Sequence, residues 1–199
     1  GVAIMIRNGH LNNVVDIDPI NDRIMTITIR GTVTHTFINV YMHTSSNPEK
    51  NPPLYKRLEE EVRRYKRGGP VYIAGDFNAN VQSTDGSRES KIVGDHTVDN
   101  ANEAPIQDAA MRANKDELLE FCEKMDYTIL NTWFQKRDEQ KMTWRQPKTK
   151  PHHPKTRGYY AVKDYWLSPT RWKNGFKDCE NDAQHAINTD HYPLVATIA

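Results

Sequence analysis

An acid and an amide are separated by one residue in the segment Gly75-Asp76-Phe77-Asn78, which follows the apolar run at residues 70–74. Residues two apart on an extended backbone point to the same side, so the Asp76 carboxylate and the Asn78 carboxamide could meet one phosphate-bound or metal-bound oxygen. The preceding glycine lets the backbone approach a ligand closely. The segment is equally compatible with an ordinary polar turn after a strand, so the wider sequence must decide.

A carboxylate and an imidazole are neighbours in Thr189-Asp190-His191, just before the apolar run 192–198. Neighbouring strand residues point to opposite faces, so both serve one site only where the backbone bends or the ligand reaches both faces. A surface histidine is the simpler interpretation of this pair alone. Asp164 lies in an otherwise apolar run, where an acid is expected to be paired or functional. We predict that it pairs with and orients His191.

The elements expected to position these residues alternate between strands and helices. Tyr41 falls in a predicted strand and, taken alone, is a core or sheet-surface aromatic. The polar, aperiodic residues 81–113 are expected to form a long surface loop. Helical spacing of apolar residues predicts helices at 54–65 and 115–125, and β-rich runs predict strands at 1–7, 23–29, 34–42, 70–74, 127–134, 142–145, 160–167 and 192–198. Such a mixture predicts an α+β or α/β sandwich.

The length and composition suit one folded domain. The 199 residues carry a formal charge of +1, which excludes a uniformly basic nucleic-acid-binding chain, although residues 147–158 form a locally basic loop. The two cysteines match neither a disulfide framework nor a zinc-binding spacing and favour a reducing compartment. No run approaches the roughly 20 apolar residues of a membrane span, so no membrane association is expected.

Taken together, the motifs resemble those of the endonuclease/exonuclease/phosphatase superfamily. The likeness covers residues 1–199 and is nearest to the endonuclease domain of non-long-terminal-repeat (LINE-type) retrotransposons and their domesticated relatives. It implies an α/β fold, a four-layered sandwich of two face-to-face sheets flanked by helices, with the site at one rim. The motifs that carry it are, in order, Asn39-Val40-Tyr41, Gly75-Asp76-Phe77-Asn78, Thr143-Trp144, Asp164-Tyr165 and Asp190-His191 before an apolar strand.

The resemblance also implies catalytic roles. Asp76 would position or deprotonate the attacking water, and Asn78 would hold the scissile phosphate. His191, oriented by Asp164, would stabilise charge on the phosphate in the transition state. By the same resemblance Asp190 is the metal-associated carboxylate and Tyr41 contacts the phosphate. A Mg²⁺ (or Mn²⁺) ion suits such an all-oxygen site, and the implied reaction is phosphodiester hydrolysis.

The retrotransposon-like middle of the chain favours DNA as the substrate. In that branch the loop between the Thr-Trp strand and the Asp-Tyr strand helps to select target DNA. Here the loop holds Lys148, Lys150, Lys155 and Arg157, which we expect to contact phosphates or a minor groove. The alternative is a solvated loop rich in proline and lysine. A DNA substrate implies an intracellular, nuclear location.

The sequence departs from the superfamily pattern in its first strands. The family site uses an asparagine and a metal-binding glutamate ahead of the strand that residues 1–7 resemble, and this chain has neither. We therefore expect an N-terminally truncated sandwich whose exposed sheet edge suits a protein partner. Lys163 also stands where the family has an apolar residue, and Thr189 replaces a serine.

Two functional hypotheses follow. The first is a Mg²⁺-dependent DNA endonuclease domain of the target-nicking, retrotransposon type. The second is an exapted nuclease-like module that binds nucleic acid or protein without turnover. Because the family's main metal ligand is missing, the chain as given is expected to show little Mg²⁺-dependent nicking.

Overall fold

The computed structural model describes residues 1–81, 91–98, 109–146, 160–185 and 189–199. Its strands are β1 (Val14–Pro19), β2 (Ile24–Ile29), β3 (His35–Tyr41), β4 (Val71–Asp76), β5 (Tyr127–Ile129), β6 (Trp144–Arg145), β7 (Tyr160–Ala161), β8 (Asp164–Pro169), β9 (Phe176–Asn181) and β10 (Leu194–Ile198). Six of them form a mixed sheet in the order β1-β2-β3-β4-β8-β5, while β9 pairs with β10 and β6 with β7. The helices are α1 (Asn51–Tyr65), α2 (Ala109–Met125) and the single turn α3 (Asp138–Lys141).

Helices α1 and α2 cover one face of the six-stranded sheet. Leu54, Leu58 and Val62 recur every four residues along α1 and form a single buried stripe, as the sequence predicts. This stripe joins the same core cluster as Ile38 of β3 and Ile73 of β4. Because β3 and β4 are parallel, the chain needs a crossover between them, and α1 supplies it.

The opposite face of the six-stranded sheet packs against β9 and β10. Phe37, Tyr72 and Trp166 project from this face and form a second core cluster with Phe176 of β9 and Leu194 of β10. The rings are in direct contact, with centroids 5.6 Å apart for Phe37 and Tyr72 and 5.1 Å apart for Tyr72 and Phe176. The two sheets therefore meet face to face and leave a shared rim where their strands end.

The strand predicted for residues 1–7 is not formed. These residues alternate between exposed and half-buried positions, and Ile4 and Ile6 line a cavity of about 470 Å³ between the two sheets. The side-chain amide of Asn39 donates to the Ala3 carbonyl at 2.8 Å, but among the described strands none pairs with this segment. A strand requires such a backbone neighbour, so the first strand is instead β1, which the sequence analysis missed.

Part of the predicted surface loop belongs to the core. Residues 82–90 and 99–108 lie outside the described part of the chain, but Ile92 and Val93 are buried. The Ile129 N–H donates to the Ile92 carbonyl at 2.8 Å, and the Gly94 N–H donates to Oγ1 of Thr132 at 2.7 Å. Residues 92–94 therefore run beside β5, and α2 begins earlier than predicted.

One further strand prediction differs from the structure, and one more strand of the structure was not predicted. The strand predicted for residues 160–167 divides into β7 and β8, and β9 was not predicted. Cys122 and Cys179 are both buried and free. Within the described ranges, no helix has the length and apolar character needed to cross a membrane.

Candidate active site

Three polar side chains stand side by side where β3, β4 and β8 meet the rim. Tyr41 pairs with Asp76 across the parallel strands β3 and β4, and Asp76 pairs with Asp164 across the antiparallel strands β4 and β8. Directly paired residues project from the same face of a sheet. The period of two along a strand places them on the face that carries Phe37 and Trp166, which packs against β9 and β10. The row therefore opens at the rim between the two sheets.

His191 reaches this row from the second sheet. It precedes β10, and an isolated β-bridge to Trp144 of β6 holds its backbone. Its Nδ1 lies 2.9 Å from Oδ2 of Asp164, so the hydrogen bond predicted for this pair is present. The bond to Asp164 raises the pKa of His191 although burial lowers it, and the charges of Asp76 and Asp190 raise it further. With Nδ1 facing Asp164, Nε2 is the nitrogen that a substrate would meet.

Asp76 and Asn78 form a tight turn. The Asn78 backbone N–H donates to Oδ1 of Asp76 at 2.9 Å, and its side-chain amide donates to Oδ2 of Asp76 at 3.1 Å and to the Met42 carbonyl at 3.0 Å. Asn78 has a φ of 48°, so the segment is not extended as the sequence argument assumed. The two side chains still meet, but through an Asx turn, and Asn78 restrains the carboxylate of Asp76.

The environment of Asp76 favours its protonated form. Burial, followed by the negative charge of Asp164, raises the pKa of this carboxyl to about 6. The backbone N–H of Asn78 and the positive groups of His191 and Lys163 act in the opposite direction but are weaker. Asp76 is therefore a stronger base than an exposed aspartate, and it titrates close to neutral pH.

Gly75 fits β4 closely against β3. Its φ is 148°, and a Cβ atom there would lie 1.9 Å from the Val40 carbonyl oxygen. A larger residue is excluded by the neighbouring strand. The glycine therefore permits close strand packing, whereas the sequence analysis assigned it to ligand approach.

A buried pair of asparagines, which the sequence analysis missed, supports the Asn78 turn. Asn114 of α2 donates from its amide to the Asn78 carbonyl at 2.9 Å and to the His43 carbonyl at 3.0 Å. Asn51 of α1 donates to Oδ1 of Asn114 at 2.9 Å, and both asparagines are 1% exposed. Both asparagines lie just before the helices predicted at 54–65 and 115–125, so no local pattern marked them as buried residues that need a partner.

Asp190 is held from the β6 side of the rim. The indole Nε1 of Trp144 donates to Oδ2 of Asp190 at 2.9 Å, and the Arg145 backbone N–H donates to the Asp190 carbonyl at 2.8 Å. Burial alone would raise the pKa of this acid, but the bond from Trp144, other hydrogen bonds and the charge of His191 outweigh it and lower the pKa. Asp190 is therefore an ionised neighbour of the Asp164–His191 pair.

The described residues do not by themselves fit a protein-held metal site. Among them, no group of three acid, histidine or cysteine side chains is arranged to hold an ion. One oxygen of Asp190 already accepts from Trp144, and both oxygens of Asp76 accept from Asn78. The Mg²⁺ or Mn²⁺ expected at Asp190 stays a prediction, and no chemical step is assigned to it.

Two basic side chains, Arg23 and Lys163, also lie at this rim. The Arg23 guanidinium covers the Tyr41 ring at 4.8 Å and donates to the Tyr41 carbonyl at 3.0 Å. Lys163 lies on the Trp144 ring, with Nζ 3.7 Å from the centroid. Sequence reasoning missed Arg23, which carries no motif. All four residues that the sequence predicts to bind DNA lie outside the described ranges: Lys148, Lys150, Lys155 and Arg157.

Solved structures with a similar fold are nucleic-acid enzymes by name. An apurinic/apyrimidinic (AP) endonuclease from Archaeoglobus fulgidus matches with a TM-score of 0.65 and 15% identity over 93% of this chain and 71% of its own. A Neisseria 3′ phosphatase bound to a product DNA hairpin matches with a TM-score of 0.59 and 18% identity over 94% of this chain and 71% of its own. The endonuclease domain of TRAS1, a telomere-specific non-LTR retrotransposon, matches with a TM-score of 0.55 and 17% identity over 88% of this chain and 63% of its own.

The chain has the fold of the endonuclease/exonuclease/phosphatase superfamily. The α/β class and the superfamily resemblance expected from the motifs are therefore confirmed at the level of fold. The catalytic roles of the individual residues stay predictions.

Sequence comparison adds a second kind of relative. Craniofacial development protein 2 from Bos taurus is 26% identical over 98% of this chain, and that from Tragulus javanicus is 24% identical over the same share. The chain spans about 30% of the length of these curated relatives. No protein-family model matches the chain.

Proposed function

We propose that this superfamily site hydrolyses phosphodiester bonds in DNA. The observation that carries the proposal is the 2.9 Å bond between Asp164 and His191 beside Asp76, whose raised pKa suits a general base. Support for DNA comes from the AP endonuclease, the DNA-bound 3′ phosphatase and the retrotransposon endonuclease that share the fold.

The two halves of the site would divide the proton chemistry. Asp76, with a pKa of about 6, accepts a proton from the attacking water as the water oxygen bonds to phosphorus. The P–O bond to the leaving sugar oxygen then breaks, and that oxygen takes its proton from solvent. The Asp164 carboxylate favours the protonated imidazole of His191, whose Nε2–H can donate to a phosphate oxygen as negative charge develops there. Asn78 holds Asp76 through two hydrogen bonds, so the base keeps its orientation before substrate arrives. In this proposal Tyr41 contributes a phosphate contact from the adjacent strand.

A second candidate function is binding without turnover. It is favoured by the lack, within the described residues, of a group of three side chains that could hold a metal ion. In that case the rim would bind nucleic acid or a protein while hydrolysis is negligible. The nuclear location and a protein partner at the N-terminal sheet edge stay predictions.

A plasmid-nicking assay separates the two candidates. The wild-type chain is compared with Asp76→Ala and with Lys66→Met, an exposed lysine at the end of α1, with Mg²⁺, Mn²⁺ or EDTA. Nicking that is lost in Asp76→Ala and retained in Lys66→Met supports hydrolysis at this site. DNA binding with no nicking in any metal supports the second candidate, and nicking that survives Asp76→Ala contradicts the proposed site.

A further inference from the structure

Lys163 is fixed at the rim by its backbone on two sides. Its N–H and that of Asp164 both donate to Oγ1 of the buried Thr143, at 2.9 and 3.0 Å. Its carbonyl accepts from the Phe77 N–H at 2.9 Å, directly after Asp76. The backbone of Lys163 is therefore tied both to the residue before β6, whose Trp144 holds Asp190, and to the end of β4, which carries Asp76.

The Lys163 ammonium lies on an aromatic face rather than on a carboxylate. Its Nζ is 3.7 Å from the centroid of Trp144, and the Nε1 of the same indole donates to Asp190. A cation on a ring uses one side of the ammonium and leaves N–H donors for another ligand. Burial lowers the pKa of Lys163, and the negative charges of Asp76, Asp190 and Asp164 act in the opposite direction but offset only part of this effect.

The charges at the rim need a cation before a phosphate can approach. Three carboxylates face the site, and a DNA phosphodiester adds another negative charge, so repulsion opposes binding. His191 provides one positive group on the second sheet. A half-buried lysine provides another that salt screens less than an exposed one.

We propose that Lys163 is a substrate-binding residue whose ammonium, supported by Trp144, binds a non-bridging phosphate oxygen of DNA. The proposal rests on the proposed function of the site. It adds a contact particular to this chain, because the superfamily resemblance puts an apolar residue at this position. Lysine binds phosphate as a compact point charge, so the contact contributes affinity without reading the base sequence.

The test measures binding of a short fluorescein-labelled DNA duplex by fluorescence anisotropy, in EDTA and over a series of KCl concentrations. Lys163→Met keeps the aliphatic stem on Trp144 but removes the charge. It should weaken binding about tenfold at low salt and lower the salt slope by about one phosphate contact. Lys163→Arg should recover most of the affinity because it keeps the charge.

A matched control comes from a second lysine that stacks on tryptophan. Lys173 lies with Nζ 3.0 Å from the centroid of Trp133, in a helical turn that follows the end of β8 opposite to Asp164. Lys173→Met should leave the affinity and the salt slope unchanged. Thermal unfolding followed by circular dichroism shows whether each variant is folded, and Lys163→Gln serves if Lys163→Met is not.

The outcomes separate this proposal from the proposed function. Unchanged DNA binding by a folded Lys163→Met, or an equal loss in Lys163→Arg, overturns the role of Lys163. Binding that depends on Lys163 without any hydrolysis by the wild type supports Lys163 and contradicts the proposed hydrolysis. Where the wild type cleaves DNA, Lys163→Met should raise KM about tenfold with little change in kcat, and an unchanged KM overturns the proposal.

Discussion

Burial and the neighbouring Asp164 carboxylate both disfavour the ionised form of Asp76, and this has a consequence for stability. An acid with a raised pKa in the folded state stabilises the fold at low pH, and this contribution is lost as pH rises through the folded-state pKa. For Asp76 this stability is lost between about pH 3.8, the ordinary pKa of an aspartate, and about pH 6, its pKa in the folded protein. The full shift corresponds to roughly 3 kcal/mol, which partial exposure reduces to roughly 2 kcal/mol.

We therefore predict that Asp76→Asn changes how stability depends on pH. Relative to the wild type, the variant should gain roughly 2 kcal/mol in free energy of unfolding between pH 4 and pH 7, because asparagine never ionises. Urea unfolding at a series of pH values measures the difference, in which the titration of all other acids cancels. A difference that stays constant with pH would show that Asp76 titrates as an exposed acid.

The charge state of His191 should depend on its partner. Asp164→Asn removes the negative end of the 2.9 Å bond, which is the main cause of the raised pKa. The pKa of His191 should therefore fall in the variant, and any hydrolysis that needs the imidazolium should decline at a lower pH. An NMR titration of the histidine ring protons measures the shift, and the other histidines serve as internal controls. An unchanged His191 titration would contradict the orienting role of Asp164.

At the level of elements, the pair Asn51–Asn114 connects both long helices to the Asn78 turn. Asn114→Ala removes the donor to the Asn78 carbonyl and one of the two donors to the His43 carbonyl, which still accepts from the Asn51 amide at 3.1 Å, and it leaves that amide without its Asn114 acceptor. We predict a loss of about 2–4 kcal/mol in free energy of unfolding, measured by urea denaturation. Asp116→Ala, on the exposed side of α2, is the control and should change stability by less than about 0.5 kcal/mol. Similar stability of the two variants would contradict a supporting role for Asn114.

The elements that the sequence predicted well are those whose signal is local. The four-residue spacing of Leu54, Leu58 and Val62 is enough to predict α1, and β2 and β3 follow from β-rich runs around a turn. Residues 1–7 carry an equally good strand pattern, but a strand also needs a neighbouring strand, and that contact is not local. The charged residues of β9 hide any apolar strand pattern, and the segment forms a strand because it pairs with β10, which is not a local contact.

The candidate site was likewise predictable only where a local sequence signal exists. An acid in an apolar run requires a partner, which is why the Asp164–His191 pair could be proposed from the sequence. The Asn78 turn could not, because the assumption of extended backbone fails at a φ of 48°. The support from Asn114 depends on how α2 packs against the turn, which no local pattern contains.

At the level of the whole molecule, the two sheets bring the acids Asp76, Asp164 and Asp190 to one rim. Because the described residues offer no group of three potential metal ligands, we predict that millimolar Mg²⁺ stabilises the free chain by less than about 1 kcal/mol. Thermal unfolding in Mg²⁺ and in EDTA at equal ionic strength measures this. A shift of several degrees that disappears in Asp190→Asn would instead show a metal site already formed in the free protein.

The most direct test of the site as a whole is hydrolysis of an activated phosphodiester, the p-nitrophenyl ester of thymidine 5′-phosphate. Its leaving group needs no protonation, so the assay reports the Asp76 and His191 machinery with or without added Mg²⁺. We predict hydrolysis by the wild type and by Lys66→Met, and a roughly 100-fold loss in Asp76→Asn and His191→Gln. The double variant should be little worse than either, because the residues act as one unit. Equal hydrolysis by the wild type and Asp76→Asn, or none by any form, would contradict a phosphodiesterase site at this rim.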